Sequence, residues 1–403
     1  MNKTPKVTVI LSSYNHEKYI RESIESVLNQ TFSDFQLIIV DDSSTDNSWQ
    51  IINSYNDCRI HALQNTTNRS SDFSEILPED FGSDYIAVHH SDDAWEPRKL
   101  EKQVEILDSN PDIAAVFTHV QIIDEEGKPF TDEKNFYYDV FDQPNRSRFE
   151  WLNHFFYKGN VLCHPSLLIR TRCIKEIEFT NGLAQLPDFD KWIQLCLKHE
   201  IFVIQEKLTL FRVRAQELNV SGDRPETRIR LLFEYLQTLK HYLKIPNIED
   251  FLQIFPQAEK YINEQNSDLL FALGMLSVET GNNAAIRLFG LNLLFDALNA
   301  PNRAVRLEKY QHFDKKSFIN LTAQHDVFNY EVVHNHKNQL QKKNNKIKKL
   351  EQQIKVMDQE IHKLEQQWRG REQEILFYAL SKSWRFTRPF RKFFSRLRRR
   401  KNA

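Results

Sequence analysis

The chain has 403 residues, a formal charge of −1 and an isoelectric point near 6.9, so its overall charge singles out no class of partner. Its four cysteines (Cys58, Cys163, Cys173, Cys196) are scattered without close pairing, which excludes a disulfide framework and a zinc knuckle and fits a reducing compartment. The length suffices for two or three domains. The polar Met-Asn-Lys-Thr-Pro opening leads straight into a strand pattern, and no apolar run is long enough to cross a bilayer. A cytoplasmic protein without a signal peptide is expected, with any membrane contact made from the surface.

Residues 6–11 form a near-continuous β-branched run, as in a strand buried on both faces of a parallel sheet. After a polar turn, residues 17–29 place Ile20, Ile24, Val27 and Leu28 at helical spacing. Residues 35–40 make a second apolar strand that runs into Asp41-Asp42-Ser43-Ser44-Thr45-Asp46, a cluster rich in caps for a helix through Trp49, Ile51 and Ile52. Residues 59–63 and 85–88 read as a third and a fourth strand. This alternation predicts an α/β fold with right-handed parallel crossovers.

The fourth strand ends in His89-His90-Ser91-Asp92-Asp93. Ligands of open α/β sheets bind at the carboxyl ends of strands, where two adjacent acids suit a hard divalent cation. A turn that caps the next helix is the competing reading. A helix over 98–107, a strand over 113–117, a helix over 151–160 and a strand at the end of 163–170 follow. Next come a helix after Leu186-Pro187-Asp188-Phe189-Asp190, a strand over 201–204 and an apolar run over 208–214. The α/β domain is expected to span 1–222, and helical apolar faces define a second domain over 223–330.

From 331 to 370 the pattern is heptad. Val333, Leu340, Ile347, Ile354, Ile361 and Trp368 recur every seven residues, joined later by Leu350, Met357 and Leu364 among Lys, Gln and Glu. This predicts a coiled coil and a homo-oligomer, with a long solvated helix as the alternative. The tail, 371–403, interleaves aromatics with arginines. From Ile375 to the end there are ten Lys or Arg and no Asp or Glu, which leaves 44 basic against 55 acidic residues elsewhere. Such a tail is expected on an anionic membrane surface, and nucleic acid is not expected because no recognition module accompanies it.

Four motifs, Val7-Thr-Val-Ile-Leu-Ser-Ser-Tyr-Asn15, Ser26-Val-Leu-Asn-Gln-Thr-Phe32, Ile39-Val-Asp-Asp-Ser-Ser-Thr-Asp46 and Ser91-Asp-Asp93, occur in one order and spacing. Together they resemble the family 2 glycosyltransferases over roughly residues 5–221. The resemblance implies a GT-A fold, a mostly parallel Rossmann-like sheet flanked by helices, here followed by the helical region and coiled coil. It also implies an inverting enzyme that uses a nucleotide-diphosphate sugar, with UDP the usual nucleotide. By the same match Ser12, Tyr14, Asp42, Arg69 and Asp92 contact the nucleotide, Asp42 through the base N–H, a donor that a carboxylate can accept. Asp93 and Asp92 match the metal-binding acids for Mg²⁺ or Mn²⁺, and His90 stands where a further acid is common, either in the metal shell or lining the nucleotide site.

Pro187-Asp188-Phe189-Asp190 resembles the family's Glu-Asp motif, which makes Asp188 the general base and Asp190 a supporting residue. Helix capping is the alternative for both. His164 flanks the acceptor and diphosphate sites. Arg212 and Arg214 occupy the stretch where the family often has a histidine, and an arginine there can bind a diphosphate. The expected activity is transfer of a sugar to a glycan or lipid-linked acceptor at the inner face of the cell membrane. The alternative is a catalytically degenerate nucleotide-sugar binder that serves as a coiled-coil scaffold at the membrane.

Overall fold

A computed structural model describes residues 4–69, 82–214, 219, 222, 224–262 and 267–401. Those residues fall into two compact units, Met1–Val327 and Phe328–Ala403.

The first unit begins with β1 (Val7–Ser13), α1 (Ile20–Leu28), β2 (Phe35–Asp41), α2 (Ser48–Asn53), β3 (Ile60–Gln64) and β4 (Tyr85–His90). It continues through β5 (Ala94–Trp95), α3 (Lys99–Ser109), β6 (Ile113–Ile123), α4 (Arg148–Lys158), β7 (Leu168–Arg170), α5 (Thr171–Ile174), α6 (Pro187–Cys196) and β8 (Glu200–Arg212). The eight strands form one sheet in the order β3-β2-β1-β4-β7-β6-β8-β5. The four strands at the β3 end are mutually parallel, as the β-branched runs predict. Beyond β4 the sheet is mixed: β7 runs antiparallel to both neighbours, β6 and β8 are parallel, and β5 pairs antiparallel with β8. The short β7 follows a 3-10 turn (His164–Ser166).

Val7, Val9, Leu11, Leu37 and Ile39 on one face of the sheet pack with α1 and α3 through Ile20, Ile24, Leu100 and Leu107. On the other face Ile10, Ile86, Val88 and Phe117 join Trp151, Phe155, Phe189 and Trp192 of α4 and α6. The cluster extends into α7 (Pro225–Thr238), α8 (Ile248–Ile254), α9 (Leu269–Thr280) and α10 (Ala284–Asn299) through Tyr235, Phe251, Leu273 and Phe289. The helices after residue 225 thus complete the core of the sheet. α9 and α10 cross closely at Gly274 and Gly290, where a Cβ on Gly290 would stand 2.6 Å from the Gly274 carbonyl oxygen. α11 (Pro301–Gln311) and α12 (Lys315–Gln324) close the unit.

The second unit consists of α13 (Tyr330–Leu380), 51 residues without a break, and α14 (Lys382–Lys401). Every heptad residue named above is exposed, from Leu350 at 47% to Trp368 at 65%. Among the described residues no helix is long and apolar enough to cross a membrane.

Two polar contacts tie α6 to the helical half. Asp190 is buried, receives hydrogen bonds from Thr180 Oγ1 and Gln194 Nε2 at 2.9 Å, and lies 2.7 Å from His241 Nε2. Glu234 of α7, also buried, accepts the backbone N–H groups of Ala184, Gln185 and Leu186 at 2.7–2.9 Å. Those donors immediately precede α6, so one carboxylate sets where that helix starts. Glu234→Ala removes the acceptor for all three and should destabilise the unit by about 2–4 kcal/mol, seen as a lower denaturation midpoint. An unchanged midpoint would show that water replaces the carboxylate.

Candidate active site at the carboxyl ends of the central strands

The chain runs from β1 outward to β2 and β3, then returns to the other side of β1 as β4, which makes β1/β4 the point where the winding reverses. The register sets Ser12 level with Val40 on one side and His90 on the other, with Ser13 opposite Asp41. Ser12, Ser13, Asp41, Asp42, His90 and the acidic turn after β4 therefore share one edge of the sheet. Ser12 is half-buried and Tyr14 is 43% exposed, so both remain reachable from solvent.

The loops after β1 and β2 are stitched together. Asn15 N–H donates to Ser44 Oγ, Thr45 N–H to Asn15 Oδ1, His16 N–H to Ser48 Oγ and Glu17 N–H to Asp46 Oδ2, all within 2.8–3.0 Å. Asn15 and Ser43 hold left-handed backbone (φ 52° and 64°), uncommon for residues with a Cβ and found where surrounding contacts impose it. The two acids after β2 have different tasks. Asp41 is fully buried and accepts from Ser44 and Gln64, fastening the turn. Asp42 accepts the Arg69 backbone N–H at 2.9 Å and Asn65 Nδ2 at 2.8 Å. Arg69 thus meets Asp42 through its peptide group.

At the acidic turn, Asp93 Oδ1 accepts the Arg212 N–H at 2.8 Å, while Asp93 Oδ2 is buried with no hydrogen-bond partner and lies 3.8 Å from His90 Nδ1. Burial, then the adjacent Asp92, push the Asp93 carboxyl well above the ordinary carboxylate range. Burial likewise pulls His90 and His164 below the usual imidazole value. Their rings meet edge to face at 5.2 Å, and His164 also packs on Trp192 of α6.

Arg212, placed near the diphosphate by resemblance, has another task. It is buried at the end of β8, its Nε donates to the Asp92 carbonyl at 2.8 Å, Nη1 to the Asp124 carbonyl at 2.9 Å and Nη2 to Glu22 at 2.6 Å. Its guanidinium braces the acidic turn from within and has no donor face turned to a ligand. Arg214 is half-buried, its Nη1 2.9 Å from His16 Nε2. Since arginine only donates, His16 Nε2 is the acceptor, and the neutral ring donates from Nδ1 to Ser91 Oγ at 2.7 Å. Burial holds His16 below its usual pKa despite Asp92, whose Oδ2 is 3.8 Å from Nε2. His16 escaped the sequence reading because an isolated histidine in a polar turn gives no periodic or spacing signal.

Asp188 stands in the first turn of α6, half-buried. Its Oδ1 accepts the Phe189 N–H and its Oδ2 accepts Asn160 Nδ2, both at 2.8 Å, and burial raises its carboxyl pKa. Asn160 is a further residue of the candidate site, and nothing in its local pattern marks it. Asp190 points to His241 and the helical half, so its support acts on the helix and does not touch the acidic turn. After burial, the carboxylates of Asp93 and Asp188 are the largest influences that raise the pKa of the buried Cys163 thiol, and α6 is linked to the acidic turn through His164, whose ring meets both His90 and Trp192.

Among the described residues no three His, Cys, Asp or Glu side chains converge as a metal cage. The donors present suit a different arrangement. A hard cation that keeps waters and shares substrate phosphates needs only one or two protein carboxylates, and Asp93 offers a buried oxygen without a partner. A cavity of about 760 Å³ lined by Arg146, His154, Tyr157, Lys158, Gln257 and Thr280, among others, contains none of these residues.

The family model described as glycosyl transferase family 2 matches residues 8–175. An uncharacterized glycosyltransferase of Methanocaldococcus jannaschii is 32% identical over 215 residues, covering 52% of this chain and 71% of that protein. The Escherichia coli UDP-Glc:alpha-D-GlcNAc-diphosphoundecaprenol beta-1,3-glucosyltransferase WfaP is 26% identical, covering 48% and 70%. In fold, the chain is similar to residues 1–349 of S. aureus TarS, solved with UDP-GlcNAc, with a TM-score of 0.51 at 18% identity over 83% of this chain and 92% of that one.

Asp93→Asn keeps an acceptor for the Arg212 N–H and removes a buried charge. Because folding raises the Asp93 pKa, its stabilising contribution is complete below about pH 4 and is lost as the pH climbs through the raised folded value. At neutral pH the ligand-free variant should melt about 2–4 °C higher than the wild type, with a flatter pH dependence of melting. A lower melting temperature would show that the wild-type carboxylate is fully compensated.

Proposed function

The chain belongs to glycosyl transferase family 2 and has the GT-A fold, and on that premise we propose that it transfers a sugar, with inversion, from a nucleotide-diphosphate donor to a hydroxyl of a glycan or lipid-linked acceptor. UDP is the nucleotide we assign, and the name of the WfaP relative, which specifies UDP-Glc and a diphosphoundecaprenol-linked acceptor, supports both choices. The observation that supports the proposal is the buried, unpartnered Asp93 oxygen after β4, beside a run of ring contacts from His90 through His164 to Trp192 of α6, the helix whose first turn holds Asp188.

Ser12, Tyr14 and Asp42 take the nucleoside on the stitched loops, with Asp42 accepting the base N–H. Asp42 already accepts from the Arg69 N–H and Asn65 Nδ2, which fixes the direction of its carboxylate. Asp93, with Asp92 beside it, would hold Mg²⁺ or Mn²⁺, which when bound neutralises the charge developing on the departing diphosphate. Asp188 takes the acceptor proton. Asn160 and the Phe189 N–H fix its orientation, and burial makes it a stronger base than a solvated aspartate. The half-buried imidazoles of His90 and His164, whose pKa values burial lowers, line the space beside the acids without favouring a positive charge.

Asp188→Asn should lower turnover of a UDP-sugar by about 10²–10⁴-fold while leaving UDP affinity intact by calorimetry. In the wild type kcat/KM should rise with pH through a pKa above the ordinary 3.8 of an aspartate, because the base must be ionised and its pKa is raised. Full activity in the variant removes the base assignment. UDP binding with no transfer to any acceptor would favour the scaffold reading.

The exposed seam of α13 supports self-association, since six apolar residues seven apart on one helix have no cover within the second unit. Ile354→Lys with Ile361→Lys should convert an oligomer to monomer in light scattering. An unaltered mass would detach the seam from assembly.

A further inference from the structure

α14 divides its side chains by chemistry. Phe386, Phe390, Phe393 and Leu397 follow one another at intervals of four, three and four residues, which puts them on one edge of the helix with Phe394 beside them. Arg385, Arg388, Lys392 and Arg396 repeat at similar intervals on another edge, joined by Arg391 and Arg398. None of the apolar five is covered, with exposures from 47% at Leu397 to 84% at Phe386. No acidic residue lies between Ile375 and the end of the chain, so the basic edge has no counter-charge in its own segment. Trp384, in the first turn, is capped by the Arg391 guanidinium, 3.3 Å from its ring centroid.

We propose that α14 lies flat in the surface of an anionic phospholipid leaflet, with the Phe386–Leu397 edge among the acyl chains and the basic residues at the headgroup phosphates. Three observations select this partner. The apolar edge is made of large side chains on a helix with a strongly charged opposite edge, the combination that settles at the boundary between headgroups and hydrocarbon. The charge is of one sign, so a leaflet must be anionic to complement it, at about a fivefold gain in partitioning per basic residue at the surface. The helix is 20 residues long, about 30 Å, and its density of charge rules out a crossing, which leaves the plane of the surface as its berth. A nucleic acid would satisfy the arginines and leave four stacked-up apolar side chains in water. The assignment stands independently of the catalytic reading.

The test is co-sedimentation of the full chain with vesicles of phosphatidylcholine alone or with 40% phosphatidylglycerol, a fraction set by design at roughly the charge density of a strongly anionic leaflet. The wild type should bind the anionic vesicles at least about tenfold more tightly, with the difference shrinking in high salt. The variant F386S/F390S/F393S keeps every charge and should lose at least about tenfold in binding. The variant R388Q/R391Q/K392Q/R396Q keeps the apolar edge and should lose at least about a hundredfold. Both variants should retain the wild-type thermal shift with UDP, which separates loss of the surface from loss of the fold. Equal binding to both vesicle types overturns the charge selection, and unchanged binding by the phenylalanine variant overturns insertion. Retention of the wild type by single-stranded RNA in preference to anionic vesicles reassigns the helix to nucleic acid.

Discussion

A single buried arginine holds the acidic turn together. Two adjacent aspartates repel each other, and the fold closes over one of them. Arg212 answers with its backbone N–H on Asp93, its Nε on the Asp92 carbonyl, and the rest of its fork on the 124–125 turn and Glu22 of α1. Its guanidinium also rests on the ring of Tyr19. Three stretches distant in sequence are tied to this one residue, so the position of Asp93 relative to α1 follows from it. Lysine offers a point charge in place of that fork and cannot make the same set of contacts.

Around this brace burial disfavours charge on several of the groups that face the site. Burial raises the pKa of the carboxyls of Asp93 and Asp188 and lowers those of His90, His164 and His16. Each shift favours the uncharged form, as low-dielectric surroundings require. Such a site gains most from a ligand that brings its own compensating charges, as a diphosphate with a divalent cation does. The unpartnered Asp93 oxygen is a local weakness of the ligand-free fold that has a chemical use, in keeping with the general exchange of stability for activity.

The half of the fold that carries the nucleotide was legible because its strands are uninterrupted β-branched runs that end abruptly in acids. Residues 7–13 and 35–41 admit no other periodicity. The second half of the sheet was less so. β6 and β8 are longer than their apolar runs suggest because irregular register shifts near Thr118 and His119 let polar residues stay in the ladder. The antiparallel β7 has only three residues to announce it. The helices after 225 read as a separate domain since their apolar faces say that they are buried and not against what, whereas in the structure Tyr235, Phe251 and Phe289 share a core with Trp151 and Phe189. Asp42, Asp93 and Asp188 were found by motif. Arg212 was expected to face a ligand because its type suits phosphate, and sequence does not reveal that it is buried with its guanidinium bonded to three carbonyls and a glutamate. His16, Asn160 and Glu234 act through contacts distant in the chain, and nothing local marks them.

The surroundings of Cys163 carry one more consequence. Electrophiles and peroxides attack the thiolate form of cysteine, and here burial above all, then the nearby Asp93 and Asp188 carboxyls, disfavours that form. Cys173 and Cys196 are buried as well, whereas Cys58 is exposed on the surface. The thiol at the centre of the molecule is therefore guarded from oxidation chiefly by its burial, and a maleimide dye added to the native chain meets one exposed cysteine, on the connection between α2 and β3.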